Sequence, residues 1–297
     1  MWRIRAFEER VGQLTRADEV HGLVHLGIGQ EAVAAGVCLQ LRSDDAVYSN
    51  HRAHGHAIAK GVPLGPLMAE LMGRDGGVCR GLGGSMHVVD VAHGFLGATG
   101  VVGGNVPLAL GSALAGRLLG GDQVAVVFFG DGAVQGGIFV ESVNLATLWE
   151  LPAILVCENN GFAEFTPRSA HTNVERVSDV VAPYGLDRET VDGNDVVAVH
   201  EAFAAFLDAA RSGGGPFLLE CLTHRLRGHY EGDPQRYREA LAADEWQELD
   251  PILRLQRRLD HEGFELEARA EVEEAVVWAR ESPFPSPELA AQLVHAS

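Results

Sequence analysis

Residues 130–160 read GDGAVQGGIFVESVNLATLWELPAILVCENN, with Asp131 between two glycines and the pair Asn159 and Asn160 at the far end. Glycines at 130 and 132 allow a sharp turn and a close approach to phosphate oxygens. The helix predicted just beyond would turn its N-terminal amides to the same spot. An aspartate there would repel a bare diphosphate. With a divalent ion between them the repulsion becomes attraction, and magnesium takes a few protein oxygens and completes its octahedron with phosphate and water. The two ends of this stretch therefore read as a magnesium diphosphate site. Histidines add proton chemistry: His25 in HLGIGQEA, His51, His54 and His56 in NHRAHGH, and His229 in RGHYEGD. Imidazole titrates near neutrality, and general acid–base help is worth about 10²–10⁴ in rate.

Each motif has a plainer competitor. Asp and Gly are common turn residues, so GDG alone also fits an acidic β-turn that holds nothing. A nicotinamide dinucleotide turn needs G-x-G-x-x-G after a strand; GDGAVQG misses that spacing, and GIGQEA follows no clear strand. A P-loop is excluded, because Lys60 is the only lysine and sits in no such motif. HRAHGH also reads as a zinc cluster, but no carboxylate or cysteine completes a ligand set at the usual spacing. Each histidine has a structural reading as well, at the end of a helix or strand.

For Asp131 to meet the asparagines, two strands must end side by side. VAVVFFG and AILVCEN are apolar on both faces, as central parallel strands covered by helices are, and neighbouring strand ends lie about 5 Å apart. Ligands collect at the carboxyl ends of such sheets. Helical spacing appears over 2–15 and 30–41, and in PLGPLMAELMG, VPLALGSALAGRLLG, IFVESVNLATLW and VAVHEAFAAFLDAARSG; further strands are DDAVYSN, ETVDGN and PFLLECLTHR. The fold class is α/β, a doubly wound parallel sheet, in one domain over 1–297 with an N-terminal helical segment and C-terminal helices. Residues 244–281 read as two acidic, solvent-facing helices. The glycine-rich stretch 73–104 reads as irregular backbone able to approach a ligand or another chain closely.

Composition bounds the partners. With 297 residues, 46% of them hydrophobic, the chain can bury a full core. A formal charge of -18 opposes a nucleic-acid partner, which needs clustered Lys and Arg. Cys38, Cys79, Cys157 and Cys221 form no C-x-x-C pair and suit reduced thiols in a cytoplasmic protein. No apolar run reaches the roughly 20 residues of a membrane span.

With these motifs placed, nearly the whole chain resembles the alpha subunit of the thiamine diphosphate-dependent first component of 2-oxo acid dehydrogenases, of the pyruvate or acetoin type. GDGA followed by ENN is similar to the thiamine diphosphate signature. HLGIGQEAVAAG, HRAHGHAIAKG, AELMGRDGGVCRGLGGSMH, GVVGGNVPLALGSALA, VDGNDV and RGHYEGDPQRYR follow in the family's order. The resemblance implies a thiamine diphosphate-binding fold that cleaves a carbon–carbon bond next to a carbonyl and passes on the acyl group. It implies magnesium on Asp131, Asn160 and the main-chain carbonyl of Phe162. The diphosphate would lie on Gly130, Gly132, Ala133 and Arg52, and the aminopyrimidine on the main chain of Gly100 and Val102. His51 would line the cofactor channel. His25, near the substrate, and His229, on a mobile loop by the diphosphate, would be the active-site histidines.

The resemblance further implies a separate beta subunit that supplies the activating glutamate in an α2β2 heterotetramer, with 73–104 at the interface, and a lipoyl acyltransferase component as acceptor. The chain departs from the family in three places. Val134-Gln135-Gly136-Gly137 stands where Asn-Gln usually precedes the glycine, Tyr230 replaces a phosphorylated serine, and Arg227 replaces a common histidine, adding fixed charge at the mouth. The alternatives are a specialised biosynthetic acyl transferase, a branched-chain 2-oxo acid dehydrogenase, or a scaffold subunit without cofactor.

Overall fold

The structure is a computed structural model describing residues 1–239, 241–259 and 263–294. Six strands, β1 (Ala46–Ser49), β2 (Phe95–Ala98), β3 (Ala125–Gly130), β4 (Ala153–Asn159), β7 (Asp187–Asp192) and β8 (Phe217–Leu222), pair in the order β2-β1-β3-β4-β8-β7. Every pairing in this sheet is parallel. A small hairpin, β5 (Phe162–Ala163) with β6 (Thr166–Pro167), stands apart.

Alternate residues of the central strands enter different cores. Val126, Phe128, Ile154 and Val156 pack on one face with α1 (Trp2–Arg16), α2 (Glu31–Cys38), α3 (Ala53–Lys60), α4 (Leu64–Leu71) and α8 (Val196–Arg211). Val127, Phe129, Leu155 and Cys157 pack on the other with α5 (Asn105–Leu118) and α6 (Gly137–Leu148). All seven residues of β4 are buried, which explains its unbroken apolar run; each large side chain so buried contributes about 1.5–3 kcal/mol. The doubly wound prediction holds. β1 leads through α3 and α4 to β2 on one side, whereas β2 returns through α5 on the opposite face to β3 on the other side of β1. This reversal opens a crevice between the carboxyl ends of β1 and β3.

Two sequence expectations need correction, and one helix was not foreseen. Ala53–Lys60, within HRAHGHAIAK, forms α3, a helix that polar, histidine-rich composition concealed. The stretch 73–104 is not wholly irregular, since Phe95–Ala98 pairs with β1 as an edge strand. The buried Glu70 carboxylate gathers the loop before it, accepting from the backbone N–H groups of Cys79 and Gly81 on one oxygen and Gly83 and Gly84 on the other. Residues 244–281 form α9 (Ala243–Leu249), α10 (Pro251–Gln256) and α11 (Phe264–Glu281) rather than two helices. Nor does α11 simply face solvent: Ala268, Val272, Ala275, Val276 and Ala279 are buried in the core shared with α1 and α4. Their i, i+4, i+7, i+8 spacing marks one apolar face, which the helix's many glutamates masked.

Candidate active site

A cavity of about 410 Å³ opens in the crevice, and strand ends supply its walls. Asn50, His51 and Arg52 follow β1, Thr99 and Gly100 follow β2, Gly130, Gly132 and Ala133 surround the end of β3, and Asn160 and Phe162 follow β4. His25 comes from the loop before α2, and Arg225 and His229 from the loop after β8. Gly100, Val102, Gly130, Gly132, Ala133, Asn160, Phe162, His25, His51, Arg52 and His229 all line it, whereas Asp131, next in the chain to Gly130, does not.

Asp131 opens a 3-10 turn, Asp131–Gln135, inserted between β3 and α6. It is 1% exposed, and both its carboxylate oxygens are buried without a hydrogen-bond partner. Burial raises its pKa, and the charges of His171 and Arg168 only partly offset that. An unpaired buried carboxylate costs several kcal/mol, a cost that a cation placed beside it could offset. At Gly132 an added Cβ would lie 2.8 Å from the Ala163 Cβ, so only glycine fits beside the β5 hairpin.

The two asparagines divide their work. Asn159 Nδ2 donates to Glu220 Oε1 at 2.6 Å in the core. Asn160 lines the cavity, and its Nδ2 donates to Gln30 Oε1 at 3.3 Å. That bond turns the Asn160 amide so that Oδ1 accepts from the Phe162 N–H at 3.3 Å and remains available to a cation. The registers Gly130↔Glu158 in β3 and β4 carry Asp131 and Asn160 out of adjoining strands.

Cationic groups stand across the cavity. Arg52 Nη1 donates to Leu26 O at 2.9 Å, and Nη2 donates to His229 O at 2.7 Å and His229 Nδ1 at 3.1 Å. Arg225, absent from the sequence reading, donates from Nη1 to the same Nδ1 at 2.8 Å, and its Nε is buried without a partner. Burial and the neighbouring Arg225 bring the Arg52 pKa down to about 9. Two buried guanidiniums facing a polar cavity suit an anion such as a diphosphate. Arg227, expected to add fixed charge at the mouth, is exposed and does not line the cavity. Only the alternation of THRLRGH separates the two, and it points inward at Thr223, Arg225 and the chain near His229.

The histidines also sort themselves. His54 joins Glu8 and Ser85 at 2.9 Å each, and His56 joins Ser49 and Glu158 at 2.8 and 3.2 Å. Neither faces His51, so HRAHGH assembles no zinc set. His51 meets His25 and His229 instead, with ring centroids 4.6 and 5.4 Å away, and His25 and His229 lie 4.9 Å apart. One nitrogen from each lies within 4.8 Å of the others, but Arg52 and Arg225 beside them oppose a metal cation there. Because guanidinium groups only donate, His229 Nδ1 must accept, and its proton resides on Nε2. Burial, then Arg52, pushes the pKa of His25 down to about 4, of His51 to about 2 and of His229 to about 3. Three neutral imidazoles result.

The loop that carries His229 is cross-linked by hydrogen bonds. Asp233 accepts from the His229 N–H at 2.6 Å and from the Tyr237 hydroxyl at 2.7 Å, and Arg238 donates to Arg225 O at 2.8 Å. Tyr230 packs near Phe165 with ring centroids 6.4 Å apart.

A parallel sheet that brings an orphaned aspartate, a glycine turn and paired arginines to its switch point defines a diphosphate-binding α/β enzyme. Residues 1–288 match the family model described as "Dehydrogenase E1 component", and the chain belongs to that family. It is 43% identical over 293 residues, 96% of this chain and 88% of the relative, to the alpha subunit of acetoin:2,6-dichlorophenolindophenol oxidoreductase of Bacillus subtilis. The protein of that name from Cupriavidus necator is 43% identical over 298 residues, 97% of this chain and 90% of the relative. The pyruvate dehydrogenase E1 component subunit alpha of Rhizobium meliloti is 43% identical over 271 residues, 90% of this chain and 77% of the relative. The chain is thus an alpha subunit of a thiamine diphosphate-dependent dehydrogenase of the acetoin or pyruvate type. No helix among the described residues is long and apolar enough to cross a membrane.

Proposed function

We propose that this chain, as one thiamine diphosphate-binding domain, holds magnesium thiamine diphosphate for the cleavage of acetoin, a neutral α-hydroxyketone, in a cytoplasmic α2β2 assembly. The buried, partnerless carboxylate of Asp131 carries the reading. Asp131, Asn160 and the Phe162 carbonyl hold the magnesium. Gly130, Gly132, Ala133, Arg52, Arg225 and His229 hold the diphosphate, and the main chain of Gly100 and Val102 receives the aminopyrimidine. When bound, the cofactor supplies an ylid that attacks the carbonyl and a ring that takes up the electrons of the broken bond. The protein binds, orients and moves protons: His229 offers the Nε2 proton fixed by its two arginine neighbours, and His25 stands on the substrate side.

Apolar surface around the cavity supports a beta partner. Val101 and Val102 at the rim are 69% and 66% exposed, and Leu108, Leu118, Leu145, Leu148 and Trp149 on and after α5 and α6 are also exposed. Exposed large apolar side chains gathered on two packed helices suit an interface. They support pairing through α5 and α6 together with the 99–104 rim, where a partner's glutamate would reach the aminopyrimidine. The acetoin relatives cover slightly more of this chain than the pyruvate relative of equal identity, and acetoin is the proposed donor; a lipoyl acyltransferase domain is the proposed acceptor of the acyl group. The experiment is isothermal titration of thiamine diphosphate into the copurified α and β chains, with magnesium and with EDTA. Tight binding that requires magnesium supports the reading. Absence of binding under both conditions would favour the scaffold alternative.

A further inference from the structure

Neither the magnesium site nor the diphosphate clamp uses one group at the centre of the cavity. His51 follows β1, so its backbone is fixed by the sheet, and its Nε2 is buried without a hydrogen-bond partner. A buried nitrogen left open in a polar cavity carries a desolvation cost of about 1–3 kcal/mol, which is recovered once a ligand hydroxyl reaches it. The surroundings select the kind of ligand. His25 and His229 pack edge-on and tilted against the ring at 4.6 and 5.4 Å, and Arg52 and Arg225 occupy the far side of His229. No carboxylate orients His51 among its hydrogen bonds, so it faces its ligand as a neutral imidazole able to accept one proton.

We propose that His51 is a third catalytic imidazole, taking the hydroxyl proton of an uncharged α-hydroxyketone as its carbon–carbon bond breaks. The proposal rests on the acetoin reading above. The bond between carbonyl carbon and carbinol carbon breaks, and its electron pair stays on the carbonyl carbon, where the bound cofactor serves as electron sink. The carbinol O–H proton passes to His51 Nε2, and the carbinol leaves as an aldehyde. A 2-oxo acid substrate would need no such acceptor, because its departing fragment leaves as carbon dioxide without a proton to surrender. The groups facing His51 are His25, His229, Arg52 and Arg225, and burial first, then Arg52 and the other three, works against its protonation. A bound diphosphate would offset the part due to the arginines.

The test uses the assembled holoenzyme with magnesium thiamine diphosphate, acetoin as substrate and 2,6-dichlorophenolindophenol as electron acceptor. His51→Gln keeps a polar side chain that cannot take a proton; it is expected to lower kcat at least about 100-fold. Calorimetric affinity for thiamine diphosphate should stay within about threefold, which also shows that the variant is folded. In His51→Ala, added imidazole should restore turnover in proportion to its unprotonated concentration. Acetoin turnover of His51→Gln within threefold of the wild type overturns the proposal, as does a loss matched by an equal loss of cofactor affinity, or a His51→Ala enzyme that binds cofactor normally but ignores imidazole. A wild-type assembly that binds no cofactor or leaves acetoin untouched refutes the function reading itself, a separate outcome from any of these.

Discussion

Replacing Asp131 by asparagine should stabilise the empty protein and abolish its response to cofactor. The carboxylate is 1% exposed and has no hydrogen-bond partner on either oxygen. Its pKa is raised by burial, so its ionised form is disfavoured in the fold relative to the unfolded chain. A carboxyl with a raised folded pKa contributes fully below its unfolded value, and that contribution is lost as pH rises through the folded value. At pH 7 the group is therefore a cost. Asparagine has nearly the same shape and no charge, and removing an unpaired buried charge recovers about 2–3 kcal/mol. For 297 residues the unfolding entropy is about 0.6 kcal/mol/K, so the recovery raises Tm by about 3–5 °C. Magnesium thiamine diphosphate at about 100 times its Kd adds about 2.7 kcal/mol to the wild type, or roughly 4 °C, and adds nothing to the variant. Scanning calorimetry of the α chain copurified with its partner, with and without magnesium and cofactor, measures all four values. A variant that melts lower when empty, or that keeps the cofactor shift, would refute the reasoning, because Asp131 would then be a structural residue.

Two further outcomes follow from the same geometry. Burial holds the pKa values of His25 and His229 at about 4 and 3, so the folded chain binds fewer protons than the unfolded one below about pH 6.5; stability falls as pH drops from 7 to 5, by roughly 1–2 kcal/mol for each histidine. Urea titrations at the two pH values check this, and His25→Gln should flatten the dependence. Glu70→Gln removes the charge that holds four backbone N–H groups of the 79–84 loop; it should cost at least about 3 kcal/mol and speed proteolysis within 73–104, whereas an unchanged cleavage rate would mean that the loop is held by other contacts.

How much of this was legible in the sequence depended on the length scale of the signal. The apolar runs VAVVFF and AILVC gave the central strands because both faces are buried, and GDG and ENN at their ends gave the site because a sheet aligns strand ends. The choice of Asn160 over Asn159 has a physical basis visible only in the fold: Asn159 points back to Glu220, while Gln30 turns Asn160 to the cavity. Arg225 was missed since its partners, Arg52 and His229, come together only through the pairing of β8 with β4 and the return of the chain past Ile28. Likewise the buried side of α11 depends on α1 and α4, far away in sequence. Local chemistry reads from short motifs, but the clamp that joins three strand ends does not.

The most direct test of the whole account is a crystal of the assembly grown with thiamine diphosphate and manganese in place of magnesium. Anomalous scattering is expected to place one manganese about 2.1–2.2 Å from an Asp131 oxygen, Asn160 Oδ1 and the Phe162 carbonyl oxygen, with phosphate oxygens and water completing the octahedron. A manganese bound elsewhere, or cofactor density with Asp131 and Asn160 turned away from it, would contradict the account.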